Sequence, residues 1–164
     1  GSGTGQHAVH FAAALPQLQW QTSDRPAYHE AIRAWLAEAA LPNALPPLML
    51  DVQGPWPAQT FDALFTANTL HIMGWAEVQQ FFAALPSVLT ADALLIVYGP
   101  FNYGGAFSSE SNAAFDADLK SRAPQMGIRD FEAVDALARA AGFHLLRDYA
   151  LPANNRCVVW QRKV

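Results

Sequence analysis

The sequence predicts an α/β fold, a doubly wound and mostly parallel sheet with helices on both faces. Three observations carry that reading. Short apolar stretches alternate along the chain with amphipathic ones at helical spacing, the pattern of strands joined by covering helices. Gly1-Ser2-Gly3-Thr4-Gly5-Gln6 places three glycines at alternate positions directly before a helical stretch, where such sheets hold nucleotide-like ligands. The chain also ends in two strand-like segments around Pro152-Ala153-Asn154-Asn155, a connection short enough to force an antiparallel pair.

The elements follow in order. Residues 6–15 put Ala8, Val9, Phe11, Ala12 and Leu15 at helical spacing, and Pro16 closes the segment. Residues 18–22 read as a short strand ending at Ser23-Asp24, and Arg25-Pro26 opens a second helix whose inner face carries Tyr28, Ile32, Trp35, Leu36 and Ala39. The proline-rich stretch 41–47 reads as a loop, residues 48–50 as an apolar strand stopping at Asp51-Val52, and residues 61–68 as the next buried strand. Residues 77–89 are amphipathic through Val78, Phe81, Phe82, Leu85 and Val88. The nearly continuous apolar run 93–98 is the clearest parallel-type strand, and it feeds an aromatic loop, residues 99–105. A weakly patterned helix over 108–121, a firmer one over 130–141 stopped by Gly142, and the closing hairpin of residues 143–151 and 156–161 complete the chain.

At 164 residues the chain is long enough for one domain with a full core, and 52% hydrophobic with 15% charged residues is a globular composition. A net charge of −4 with ten scattered basic residues argues against a nucleic-acid partner, which would need clustered Lys and Arg. No apolar run approaches a membrane span. One cysteine, Cys157, excludes an intramolecular disulfide framework and suits a reducing, cytoplasmic compartment. The five histidines are dispersed and no Cys/His cluster has zinc spacing, so no metal site is expected; neither a nucleophile elbow nor a phosphate-binding P-loop pattern is present.

In an open α/β sheet the ligand crevice lies at the carboxyl ends of the strands. Five such ends carry polar or glycine residues here: Gly1 to Gly5, Asp24, Asp51-Val52, Asn68 to His71, and Tyr98 to Asn102. A carboxylate after the second strand suits the paired hydroxyls of a ribose, and an acid after the third could accept from an adenine amino group. Asp24 reads equally well as the N-cap of the Pro26 helix, and the glycine turn upstream tips the choice toward a ligand. Asp51 reads alternatively as a turn residue. Taken alone, Gly-Ser-Gly is also what a fusion tag leaves behind.

The glycine spacing selects among cofactors. A dinucleotide fingerprint G-x-G-x-x-G would want glycine at position 6, where this chain has Gln6. The G-x-G-x-G form, the acid ending the second strand and the terminal hairpin together resemble class I S-adenosylmethionine-dependent methyltransferases. More narrowly, residues 1–7, 20–24, 98–102, 127–130 and 152–155 look like an uncharacterised methyltransferase-like family of unknown function. The resemblance implies a Rossmann-like sheet of order 3-2-1-4-5-7-6 with strand 7 antiparallel, in a single methyltransferase-like domain spanning residues 1–164. The first strand of that order is absent from the sequence, which starts on the turn itself, so the domain reads as N-terminally incomplete, and a gap would be left between strands 2 and 4.

The resemblance further implies S-adenosylmethionine as cofactor, with Gly1, Gly3 and Gly5 facing its methionine part, Asp24 its ribose, Asp51 and Val52 its adenine, and Asn68 beside the transferring methyl group. His71 is the best-placed base, with a capping or backbone-bonded histidine as an equal alternative. Tyr98, Phe101, Asn102 and Tyr103 would line an acceptor pocket, or pack a compact loop. Ser111 and Asn112 would close over that pocket or cap their helix, and the Asn154-Asn155 turn would touch the acceptor or serve the hairpin alone. The expected activity is methyl transfer to a small molecule; the other reading is a non-catalytic module that keeps the fold.

Overall fold

The computed structural model describes residues 1–163 and divides into two units, one spanning Gly1–Pro57 and one from Ala58 onward.

In the first unit the glycine turn leads into helix α1 (Gln6–Ala14), followed by strand β1 (Trp20–Asp24), a 3-10 turn over Pro26–Tyr28, helix α2 (His29–Ala39) and strand β2 (Ala44–Met49). β1 and β2 pair in parallel. Parallel pairing demands a crossover, and α2 supplies it, burying Ile32 while Ala8 and Ala12 of α1 are 2% and 1% exposed. Small residues let these elements approach closely. A Cβ on Gly5 would lie 3.2 Å from the Ile32 Cα, and its φ of 99° is one that other residues rarely adopt, so the third glycine of the turn is a packing requirement.

β2 begins earlier than the sequence reading places it and runs through Pro46-Pro47. Two prolines in a strand are tolerated because the pairing shifts register between Gln21 and Ser23, at a bulge opposite them. The Gln21 side-chain amide donates to the Pro46 carbonyl at 2.6 Å, and the Thr22 hydroxyl donates to the Leu45 carbonyl at 2.8 Å. These side chains thus satisfy the Leu45 and Pro46 carbonyls where the pairing is irregular.

The second unit contains β3 (Phe61–Ala67), α3 (Trp75–Val88), β4 (Leu89–Gly99), β5 (Phe101–Asn102), α4 (Glu110–Arg122), β6 (Arg129–Asp130), α5 (Phe131–Ala140), β7 (Phe143–Leu151) and β8 (Asn155–Arg162). Its main sheet has the order β3-β4-β8-β7, with β3 and β4 parallel and β8 antiparallel to both its neighbours. The closing hairpin is therefore as expected, and its turn residues Ala153 and Asn154 both adopt positive φ, 58° and 56°. β5 and β6 form a separate parallel pair that the aromatic loop gave no sign of. α3 starts two residues before the expected position, because the Gly74 amide is taken by the Glu77 carboxylate at 2.6 Å.

The core of this unit is aromatic. Trp160 is fully buried, stacks on Phe131 at 6.4 Å, meets Phe82 edge-on at 6.5 Å, and donates its indole N–H to Asp135 at 2.9 Å. A buried indole needs such a partner, and α5 provides it one turn beyond Phe131. Among the described residues, no helix is long and apolar enough to cross a membrane.

Candidate functional site

In the first unit the glycine turn is tied to the end of β1. The Gly5 amide donates to the Ser2 carbonyl at 3.0 Å, closing the turn, while Ser2 pairs beside β1 through Ser2 N–H to Ser23 O at 2.8 Å and Ser23 N–H to Ser2 Oγ at 3.0 Å. The Gly3 amide donates to one carboxylate oxygen of Asp24 and the Arg25 amide to the other, both at 2.8 Å. Asp24 is 8% exposed and its backbone carbonyl accepts from the His29 ring and from Leu50 N–H, so the side chain is fixed from several directions. The N-cap alternative is set aside by the geometry: Arg25 occupies that position, and the turn has no side-chain cap.

Each Asp24 oxygen thus accepts one amide and keeps a second lone pair, a donor-poor carboxylate that suits the two hydroxyls of a ribose. Space beside Gly3 is open, with nothing within 4 Å of the position a Cβ would take. These features fit S-adenosylmethionine. Asp51 is exposed and takes the Gln53 amide on its side chain at 3.0 Å and the Gly54 amide on its carbonyl, which is its turn alternative realised; the neighbouring Val52 carbonyl accepts from the Trp56 indole at 3.4 Å.

The second unit holds a cavity of about 510 Å³. Asn68, His71 and Ile72, after β3, form one wall, and Pro100 after β4 lies with them. Ser111, Asn112 and Phe115 of α4 and the hairpin tip 153–155 form the other. Asn68 has φ 54°, a conformation Asn tolerates better than most residues, and its amide donates to the Tyr98 carbonyl at 2.8 Å. This turn brings the Asn68 and His71 side chains beside Gly99, within 3.6 and 3.8 Å of where a Cβ there would sit.

His71 is 5% exposed and meets the Phe115 ring edge-on at 5.3 Å. Burial, and secondarily the Arg129 guanidinium, lower its pKa to about 4, so the imidazole is neutral across the physiological range. That shift has a stability consequence. The unfolded chain takes a proton on His71 as pH falls through 6.5 and the folded chain does not until about 4, so stability present above pH 6.5 should be lost progressively down to pH 4. The loss attributable to this residue is on the order of 3 kcal/mol. Urea unfolding at a series of pH values should show it, and His71→Gln should flatten the curve across that window.

Arg129 organises the loop that carries His71. Its guanidinium donates to the carbonyls of Leu70 (3.1 Å), Met73 and Gln125 (2.9 Å). Behind it, the buried Asp116 accepts the Ile128 amide at 2.8 Å and pairs with Lys120 at 2.6 Å. The hairpin tip is latched to α4 by Asn154 Nδ2 to Ser111 Oγ at 3.1 Å and Asn112 Nδ2 to the Asn154 carbonyl at 3.3 Å, while Ser109 caps the helix through the Asn112 amide.

Of the residues expected to line an acceptor pocket, Tyr98, Phe101, Asn102 and Tyr103, none is in the wall of this cavity. Tyr98 sits within β4, paired with Cys157 and Ala67. Phe101, 2% exposed, packs edge-on to Phe131. Asn102 is buried, with its side-chain oxygen unpartnered. Tyr103 donates to Asp148 at 2.8 Å, stacks on Phe131 and lies under the Arg156 guanidinium, and burial together with the Asp148 bond raises its pKa. These residues form the packed-loop alternative. Phe115 and Ile72 went unpredicted as wall residues, while Pro100 falls within the strand end Tyr98 to Asn102 read as facing the crevice; the one local signal is that Phe115 lies a helical turn beyond Ser111 on the same face. Among the described residues no group of three or more His, Cys, Asp or Glu could hold a metal ion.

Comparison with known proteins gives the same architecture. The sequence model of a family described as "Protein of unknown function (DUF938)" matches residues 1–162. An apo S-adenosylmethionine-dependent methyltransferase, SibL, superposes with a TM-score of 0.84 at 23% identity, over 100% of this chain and 49% of that one. An O-methyltransferase family 2 protein from Planctomyces limnophilus, in complex with apigenin, gives 0.86 at 15% identity, over 98% and 48%. A protein described as a pericyclic reaction enzyme gives 0.79 at 17% identity, over 99% and 42%. The chain therefore has the methyltransferase fold and spans about half the length of these structures.

Proposed function

Because the chain belongs to the DUF938 family, whose description assigns no activity, we propose its function from fold and geometry: an S-adenosylmethionine-dependent methyltransferase acting on a small-molecule acceptor. The observation that carries this reading is the glycine turn bound through Gly3 to the Asp24 carboxylate at the end of β1, in a chain with the methyltransferase fold. In this reading Gly1, Gly3 and Gly5 take the methionine part, Asp24 the ribose, and Asp51 with Val52 the adenine, while Asn68 lies beside the transferring methyl group and His71 faces the acceptor. The sheet order 3-2-1-4-5-7-6 remains part of the proposal; within the second unit, the β3-β4-β8-β7 sheet with β8 antiparallel to its neighbours supports it.

The bound cofactor supplies a methyl group already activated on a sulfonium. What remains for the protein is alignment and removal of a proton from the acceptor. A hydroxyl becomes strongly acidic as its oxygen takes on a methyl group, so a weak, neutral base such as His71 suffices, whereas a free ammonium acceptor would not surrender its proton to it. The acidic net charge and the absence of a basic cluster favour a small molecule over nucleic acid.

A second reading is supported by the similarity to a pericyclic reaction enzyme: the fold can serve chemistry other than methyl transfer, or binding alone. Isothermal titration with S-adenosylhomocysteine, paired with transfer of labelled methyl from S-adenosylmethionine to a metabolite panel, separates the two. Cofactor binding with no turnover of any acceptor favours the second reading, and absence of cofactor binding sinks the first.

A further inference from the structure

We propose that the cavity of the second unit selects uncharged occupants and rejects molecules that carry a carboxylate or an ammonium group into it; this deepens the methyl-transfer reading, which alone makes the occupant an acceptor. Its wall contains no Asp, Glu, Lys or Arg. Besides His71, the polar groups of the wall are the side-chain amides of Asn68, Asn112, Asn154 and Asn155 and the Ser111 hydroxyl, several of them already engaged in the latch between α4 and the hairpin tip, set against the apolar faces of Ile72 and Phe115. Groups of this kind exchange hydrogen bonds with alcohols, phenols, amides and carbonyls, and none of them carries a charge opposite to one that an occupant would bring in.

The single titratable wall residue agrees. His71 is held neutral, so the surroundings already disfavour a cation at this point. Arg129 lies outside the wall, its Nε and Nη2 donors serve the carbonyls of Leu70, Met73 and Gln125, and it feels the Asp116 carboxylate. Asp116 in turn is buried against Lys120 and the Ile128 amide, so it offers no counter-charge to an amine. A volume of about 510 Å³ suits a molecule of two or more rings.

Three probes of one shape test this: naphthalenemethanol, naphthoate and naphthylmethylamine, with dissociation constants read by ligand-observed NMR at neutral pH. The alcohol should bind at least ~10-fold more tightly than either charged analogue. Ile72→Lys adds a cation at a wall position 43% exposed, and should improve naphthoate while weakening naphthylmethylamine further. Equal affinities, a preference for a charged probe, or no binding by any of the three overturns the proposal. A parallel titration with S-adenosylhomocysteine keeps the failures apart: cofactor binding without charge preference overturns this inference alone, and charge preference without cofactor binding overturns the methyl-transfer reading alone.

Discussion

Asp24→Ala should abolish S-adenosylhomocysteine binding and destabilise the first unit together. The carboxylate is 8% exposed and satisfies two backbone amides, Gly3 and Arg25, each at 2.8 Å. Truncation leaves both donors without their partner, and the summed cost is about 2–4 kcal/mol. Asp24→Asn is the informative companion. It retains one carboxamide oxygen, so one amide stays satisfied, but its NH2 group faces the other donor and the charge that would attract ribose hydroxyls is gone. The expected ranking is wild type, then Asn, then Ala, in both thermal midpoint and cofactor affinity. If Asp24→Ala binds S-adenosylhomocysteine as wild type does, Asp24 is a structural tie for the glycine turn and nothing more.

This residue also shows what could be read from sequence. The glycine spacing, Asp24 and the helix opened by Pro26 lie on consecutive elements, so their relation follows from chain order and the α/β rule alone. The closing hairpin was legible for the same reason: its two strands and its turn are contiguous. β2 was not, because proline weighs against strand in any local reading, and only the register shift opposite Gln21 and the Gln21 side chain make room for Pro46-Pro47. The cavity was legible only in part: Asn68, His71, Ser111, Asn112, Asn154 and Asn155 were named from sequence, but that the turn after β3, Pro100, α4 and the hairpin tip assemble into one wall needed the tertiary structure. The contacts of the aromatic loop were hidden for a physical reason. Tyr103 finds Asp148 forty-five positions away, and that pairing, with the Phe131 stack, packs the loop against elements distant in sequence. The sequence reading raised Ser111, Asn112 and Asn154 only as alternatives; their mutual hydrogen bonds place them together.

Arg129→Met should loosen the loop that presents His71, at a cost of about 2–4 kcal/mol in unfolding free energy. One guanidinium serves three carbonyls, those of Leu70, Met73 and Gln125, and thereby joins the segment after β3 to the segment before β6. Methionine keeps the stem's apolar contacts and removes every donor, so the loss reports the hydrogen bonds and not the packing. Arg129→Lys keeps the charge and discriminates between mechanisms. An ammonium on a single stem cannot reproduce the planar fork, so the lysine variant should recover less than half of the lost stability if geometry matters, and nearly all of it if charge alone does. His71 provides a second readout. Its low pKa owes most to burial and a lesser part to Arg129, so in Arg129→Met the imidazole should titrate above about 4, visible as an upward move of its NMR chemical-shift midpoint. An unchanged His71 titration with intact stability would show that the fork neither holds the loop nor acts on the imidazole, and would remove Arg129 from the account of the cavity.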